Sequence, residues 1–438
     1  MTLSREQLEA HWMPFTGNRQ FKNHPRMMAS AKGAYYTDAD GKKIFDGLSG
    51  LWTCGLGHGR EEITAAVSAQ MSSLDYSPGF QYGHELSFEL ANKVVELTPS
   101  KLDHVFFTDS GSETIDTALK MARGYWRSKG QPGKSKFIGR IKGYHGVNYG
   151  GVGVGGIGFN RKLFGQSVDA DHMCDTLLDE NKFSRGMPAV GAHLADELEQ
   201  LVQLHDASNI AAVIVEPLSG TAGVLPPPVG YLNRLREICD KHDLLLIFDE
   251  VITGFGRMGS MTGAEEFGVT PDIMTVAKQI TNGTIPLGAV VVGSELYDTF
   301  MDNGGPDYMV EFPHGYTYSA HPVACAAGIA ALDVLVDDKL IDNVKSMSSK
   351  FEAAVHSLKG SPFVTDIRNY GLSAGISLEH YPGEPLRRPF EVGLKCLEKG
   401  FYVRWGGDTI QLAPPFIVDE KQIDDLINAV GESLHEFT

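Results

Sequence analysis

Three stretches of this sequence place charged or hydroxyl side chains where an α/β sheet presents its working loops, at the carboxyl ends of apolar runs. In Leu244-Leu-Leu-Ile-Phe-Asp249-Glu-Val-Ile-Thr-Gly-Phe-Gly-Arg257 a carboxylate closes a wholly apolar run. A buried unpaired charge is too costly to keep, so Asp249 needs a partner, either a protein arginine or a bound ligand. In Ile273-Met-Thr-Val-Ala-Lys278 a lysine ends another such run, before a polar turn with Gly283 and Pro286. Desolvation there lowers the lysine pKa and favours the free amine that imine chemistry needs. In Val105-Phe-Phe-Thr-Asp109-Ser-Gly-Ser-Glu113 a short run ends in the tight turn Ser110-Gly111-Ser112. A helix with the stripe Ile115, Leu119, Ala122 and Trp126 opens behind that turn. Free N–H groups at the positive end of a helix suit a phosphate; a plain N-cap by Ser110 or Ser112 would use the same residues without a ligand. A lysine for an imine, an acid for a ring nitrogen and a phosphate cradle are together what pyridoxal 5′-phosphate requires. Gly143-Tyr144-His145-Gly146 adds either an aromatic that can stack on a planar ring or a surface turn.

The elements that must hold these residues follow from the apolar pattern. Runs at 105–108, 136–141, 210–215, 244–248, 273–277 and 288–292 are largely apolar rather than alternating, as in strands buried on both faces. Helical patterns separate them, which predicts an α/β domain with a mainly parallel sheet. Near the amino end, strands at 34–37 and 43–45 flank the turn Asp38-Ala-Asp-Gly41. In the last hundred residues Leu340, Val344, Met347, Phe351, Val355 and Leu358 mark one helix face that stops at Gly360. Strand-like pieces at 371–378 and 401–404 and a helix at 420–436 follow. The division expected is an arm and part of a small domain at 1–55, a large domain at 56–315, and the rest of a small α+β domain at 316–438.

Composition excludes several functions. The net charge of −17 disfavours nucleic acid and anionic membrane as partners, although a few backbone amides can still hold a small anion. No apolar run approaches the ~20 residues of a spanning helix, and the first residues lack the apolar core of a secretory signal. Cys54, Cys174, Cys239, Cys325 and Cys396 are scattered without a Cys-x-x-Cys, which predicts reduced thiols, no metal site and a cytoplasmic protein. There are 50 glycines among 438 residues, well above the usual ~7%. Gly151, Gly153 and Gly156, and again Gly153, Gly155 and Gly158, satisfy the dinucleotide pattern G-x-G-x-x-G. No helical stripe is evident after them, so a nucleotide-linked oxidoreductase is the disfavoured alternative. Gly133-Lys134-Ser135 lacks the upstream glycine of a phosphate-binding loop, since Ser128 stands there. Gly371-Leu-Ser373-Ala-Gly375 leads into a strand rather than a helix, which makes Ser373 an ordinary strand residue.

From end to end the chain resembles the class III, fold type I, pyridoxal-phosphate-dependent aminotransferases, and most of all their β-alanine:pyruvate (ω-amino acid:pyruvate) subgroup. The resemblance is carried by His11-Trp-Met-Pro-Phe-Thr, Gly47-Leu-Ser-Gly-Leu-Trp-Thr-Cys-Gly, Asp109-Ser-Gly-Ser-Glu, the segment from Phe248 to Arg257, His314-Gly-Tyr-Thr-Tyr-Ser-Ala-His-Pro, and Tyr402-Val-Arg-Trp-Gly-Gly-Asp-Thr. It implies transamination by a ping-pong route, from an ω-amino acid or primary amine, with β-alanine the expected donor, to pyruvate. Taurine, short diamines and chiral amines stay open as donors, and an aminomutase or decarboxylase of the same fold is the nearest alternative. The resemblance also implies residue roles. Lys278 carries the cofactor as an imine and shuttles a proton, and Asp249 pairs with the ring nitrogen. Val251 and Tyr144 pack on the ring faces. Gly111 and Ser112 hold the phosphate, joined by Thr317 from the second subunit of a homodimer, or of a dimer of dimers. Glu216 lies near the cofactor and the substrate carboxylate. Leu51, Trp52 and Phe80 shape the substrate pocket, and Arg404 is a mobile carboxylate grip, apt because its fork binds bidentately. Trp405 stands where relatives often carry Phe, and Pro414-Pro415-Phe416 where they often carry Thr before the aromatic.

Overall fold

The computed structural model describes residues 4–437. Strands β1 (Met28–Lys32), β2 (Tyr35–Asp38) and β3 (Lys43–Asp46) form an antiparallel meander near the amino end. The central sheet then takes β4 (His104–Thr108), β5 (Lys136–Arg140), β6 (Ala170–Met173), β7 (Ile210–Val215), β8 (Leu245–Asp249), β9 (Ile273–Val276) and β10 (Gly288–Val292). The carboxyl part supplies β11 (Val364–Tyr370), β12 (Ser373–Leu378), β13 (Phe401–Tyr402), β14 (Arg404–Gly406) and β15 (Thr409–Leu412).

The seven central strands lie in the order β4-β10-β9-β8-β7-β5-β6. Neighbours from β9 to β6 pair in parallel, while β10 runs antiparallel to both β9 and β4. In β7, β8, β9 and β10 every residue is buried, the physical reason for their unbroken apolar text. Because all strands but β10 share one direction, the carboxyl ends of β4, β5, β7, β8 and β9 open on one edge. The expected mainly parallel sheet is observed, with β10 as its one reversed member, and this is the fold type I architecture of a doubly covered α/β sheet.

Both chain ends contribute to the outer sheets. β13 adds in parallel to β3, so residues 401–402 complete the meander of residues 28–46. β11, β12, β15 and β14 make a separate antiparallel sheet, packed on the helices Leu340–His356 and Arg387–Glu398, which the helix Glu420–His435 covers in turn. The helix at Leu340–His356 follows the periodic stripe, and Ser373 lies in β12. The single run expected at 401–404 is split at Val403, so that β13 and β14 join different sheets.

The glycine-rich stretch differs from expectation in being helical, at Tyr149–Val154 and Gly158–Phe164. Its glycines serve close packing. A Cβ on Gly151 would overlap the carbonyl of His145, and one on Gly156 the backbone of Arg140. Gly143, just before the stretch, would place its Cβ 3.2 Å from His145 Nε2. Such a low-propensity helix is held by tertiary contact rather than by its own sequence.

Candidate active site

At the carboxyl edge of the sheet lies a cavity of about 320 Å³ lined by residues from five loops, among them Gly111, Tyr144, Glu216, Asp249, Val251 and Lys278. Apart from Thr53, the lining comes from the loops that follow β4, β5, β7, β8 and β9. Thr108 ends β4, and the helix Gly111–Ser128 starts three residues later with its amino end at the cavity. Ser110 caps that helix, accepting from the Glu113 N–H at 3.3 Å. Ser112 is not the cap. Its Oγ accepts from the Val147 N–H at 3.0 Å and ties the helix to the Tyr144 loop. Two glycines keep this corner open. A Cβ on Gly111 would come within 2.9 Å of Val251 Cγ1, and one on Gly146, which has φ +84°, within 2.6 Å of Ser112 Oγ. The N–H groups and dipole of the helix are therefore exposed to a small anion with no side chain in the way.

Asp249 ends β8 and is 6% exposed. Its Oδ1 accepts from the Val251 N–H at 3.1 Å and from Thr275 Oγ1 at 3.4 Å. Its Oδ2 accepts from His145 Nδ1 at 2.8 Å. The partner demanded for Asp249 is thus a histidine and not an arginine. His145 is fully buried, and its Nε2 meets no hydrogen-bond partner. Sequence reasoning passed over His145. Its signal was its place beside Tyr144 within a glycine cluster too dense for an ordinary turn.

Lys278 follows β9 with the left-handed φ of +50° and lines the cavity. Burial lowers its amine to about 8, against the opposing pull of Asp249 and Glu216, while Arg404 lowers it further. Glu216 follows β7 and is buried. Its Oε1 accepts from the Tyr144 N–H at 3.0 Å and its Oε2 from the Gly220 N–H at 3.3 Å. Burial raises its carboxyl to about 7, with nearby Asp249 acting in the same direction and His145 against it. Burial also raises the Tyr144 hydroxyl, with Arg404 opposing. The cavity accordingly contains an amine whose pKa is lowered to about 8, one carboxylate fixed by three donors, and a helix amino end. This donor set fits pyridoxal phosphate, with Lys278 for its aldehyde, Asp249 for its ring nitrogen and Gly111-Ser112 for its phosphate.

Other expected site residues stand elsewhere. Arg404 opens β14, and its charge is felt at Lys278, Tyr144 and Tyr402. Among the described residues it forms no ion pair, so it is not a fixed surface pair. Trp405 points to the opposite side, edge-on to Phe390 at 5.7 Å, and it fills the space where a Cβ of Gly393 would be. Trp52 is 4% exposed and packs with Leu48, Leu218 and Ile252, whereas Leu51 is half-exposed. Phe80 and Thr317 are exposed and do not line this chain's cavity. They sit together: a Cβ on Gly315 would lie 2.7 Å from the Phe80 ring, and the Tyr76 hydroxyl donates to the Thr317 carbonyl at 3.0 Å.

Comparison with known proteins agrees with this chemistry. Residues 16–434 match the family described as Aminotransferase class-III. The chain is 59% identical to the beta-alanine–pyruvate aminotransferase of Pseudomonas aeruginosa, over 98% of this chain and 96% of that protein. It is 58% identical to the omega-amino acid–pyruvate aminotransferase of Pseudomonas putida, over 99% and 97% respectively. An amine transaminase from an uncultivated Pseudomonas species, solved in its PLP-bound internal aldimine form, superposes with a TM-score of 0.91 at 34% identity. That match covers 98% of this chain and 99% of the other.

Proposed function

Given that this chain belongs to the class-III aminotransferases, we propose that it moves an amino group from an ω-amino acid, with β-alanine the expected donor, to pyruvate, forming alanine with pyridoxal 5′-phosphate as cofactor. The observation that carries the reading is the convergence of Lys278 and Asp249 on one cavity that also receives the amino end of the helix Gly111–Ser128. Two full-length relatives that use pyruvate as acceptor, by their names, support the substrate pair.

When bound, the cofactor supplies an electrophilic aldehyde and an electron-accepting ring. The protein's own groups do the rest. Gly111 and Ser112 hold the phosphate through backbone N–H groups. Val251 and Tyr144 would bracket its ring. Asp249, held by His145, Thr275 and the Val251 N–H, would present a carboxylate to the ring nitrogen and favour a proton there. Lys278, with its amine lowered to about 8, can take a proton from the donor carbon and return one through Nζ. Glu216 closes the pocket beside the Tyr144 backbone. Arg404, which has no carboxylate partner among the described residues, swings in to grip the pyruvate carboxylate and out to admit an ω-amine whose reacting carbon carries none.

We further propose a homodimer. Thr317 and Phe80 are exposed, as are Tyr76, which bonds the Thr317 carbonyl, and Tyr318, whose ring meets that of Tyr76 edge-on at 6.3 Å. Exposed aromatics gathered in this way are what a subunit interface covers. On this reading Thr317 completes the phosphate site of the partner subunit, and Phe80 necessarily travels with it as a wall of the same pocket. Among the described residues no helix is long and apolar enough to cross a membrane, and no cysteine is in a disulfide. The free thiols support a cytoplasmic setting.

The test is a panel of amine donors with pyruvate as acceptor, read as alanine formed. Lys278→Ala abolishes turnover and the visible imine band, and any cofactor that stays is bound non-covalently. Normal turnover by that variant, or wild-type protein that stays colourless after pyridoxal phosphate is added, overturns the reading.

A further inference from the structure

Arg257 closes the segment that begins at Phe248, yet it has no role in the site described above. It is 1% exposed and has no carboxylate within ion-pair distance among the described residues. Its fork instead spans three chain segments. Nη2 donates to Ser49 Oγ at 3.0 Å, and Nη1 donates to the Pro414 carbonyl at 2.7 Å and the Leu372 carbonyl at 3.2 Å. The guanidinium lies 4.6 Å from the Phe416 ring and 5.8 Å from the Trp52 ring. A cation so deeply desolvated is retained only where its donors are well used.

What it holds is a strained turn. Ser49 (φ +49°), Gly50 (φ +67°) and Trp52 (φ +66°) are all left-handed, a conformation that costs about 1–3 kcal/mol at each non-glycine residue unless its surroundings impose it. Asp46 grips the turn from one side, accepting from the Gly50 N–H at 2.6 Å and from His58 Nε2 at 2.7 Å. Arg257 grips it from the other through Ser49, whose own hydroxyl donates to the Ala413 carbonyl at 2.8 Å. The turn leads directly into the cavity wall. Thr53 lines the cavity, and Trp52 shares a buried cluster with Ile252, which lines it too.

We propose that Arg257 is a positioning residue for substrate recognition: by pinning the left-handed Ser49–Trp52 turn to the carboxyl-terminal sheet, it sets where Thr53 stands at the pocket and how Trp52 backs Ile252. Lysine cannot replace it, because one ammonium does not span Ser49, Leu372 and Pro414. The proposal rests on the aminotransferase reading for its effect on substrate, but not for its effect on the turn.

The experiment therefore has two arms on the full-length holoenzyme, using wild type, Arg257→Met, Arg257→Lys and the milder Ser49→Ala. In hydrogen exchange, Arg257→Met speeds the amides of Trp52, Thr53 and Cys54 by about tenfold or more, with β8 unchanged. Arg257→Lys falls between it and wild type, and Ser49→Ala gives a smaller change of the same sign. In kinetics per cofactor-loaded site, Arg257→Met raises the KM for the amine donor by about fivefold or more, with kcat changed by less than about twofold. Exchange that is unchanged in the turn, or raised equally in β8, overturns the proposal. So does an unchanged KM with only the folded yield reduced. If wild type transfers no nitrogen to pyruvate, the functional reading fails, and the exchange arm still decides the role of Arg257.

Discussion

His145 Nδ1 lies 2.8 Å from Asp249 Oδ2, and both side chains are shut away from solvent. A carboxylate can only accept, so the imidazole donates from Nδ1. This bond fixes the plane of the carboxylate and leaves its negative charge directed at the cavity. Replacing His145 by Ala leaves Asp249 the Val251 N–H and the Thr275 hydroxyl only. A hydrogen bond to a charged group contributes about 1.5–3 kcal/mol. Cofactor affinity, measured by fluorescence titration of the apo-protein, should therefore fall by about tenfold or more, with Asn or Gln at 145 recovering part of it. Unchanged affinity in the Ala variant would remove His145 from the orienting role.

The acidity of Lys278 sets a pH dependence. An ordinary lysine near 10.5 is free amine in roughly one molecule in three thousand at pH 7, whereas one at about 8 is free in about one in ten. Burial disfavours the charged form, so the sign is toward deprotonation. The rate at which apo-protein takes up pyridoxal phosphate should rise with pH and level off above about 8. Arg404→Ala removes a positive neighbour that lowers the amine, so the midpoint should move up. A midpoint near 10, or none between 6 and 9, contradicts the assignment.

Much of this site was legible because burial constrains sequence. A charge at the end of an apolar run is conspicuous, and both Asp249 and Lys278 stand where strands with every residue buried come to their ends. The turn at Ser110–Ser112 was legible as a helix start, but not which serine caps, since Ser112 is claimed by Val147, a residue far along the chain. The helices at Tyr149–Val154 and Gly158–Phe164 were hidden because glycine hides helical periodicity, and only packing on His145 and Arg140 requires it there. The hold of Arg257 on Leu372 and Pro414 crosses more than a hundred residues of chain, a distance over which no local pattern reports. Reversal of β10 was likewise invisible, since a strand buried on both faces has the same text in either direction.

Trp405 provides a third prediction. β14 points Arg404 and Trp405 to opposite sides, as a strand must. The indole seats against the helix Arg387–Glu398 only because residue 393 is glycine. Gly393→Ala overpacks this contact, at a cost of about 1–3 kcal/mol. It should lower the melting temperature and raise the KM for pyruvate, because the strand that bears Arg404 is displaced. Trp405→Phe in the same chain shortens the ring and should restore most of both. A double variant no better than Gly393→Ala alone would show that Trp405 does not anchor the strand.

The last prediction concerns Arg404 itself. Its charge is felt at Lys278 and it has no carboxylate of its own among the described residues, which leaves it available to a ligand carboxylate, as proposed above. Removing it costs binding only where the ligand brings a carboxylate within reach. With pyruvate, Arg404→Ala should raise KM by about tenfold to a hundredfold, the value of a charge-assisted bidentate pair. With a donor amine that has no carboxylate, measured in the first half-reaction by the change in the cofactor band, the same variant should change KM by less than about twofold. On the proposed reading the two half-reactions share Lys278, Asp249 and the phosphate cradle, so general damage to the site would weaken both alike. Only a carboxylate grip separates them, and equal losses in the two assays would refute it.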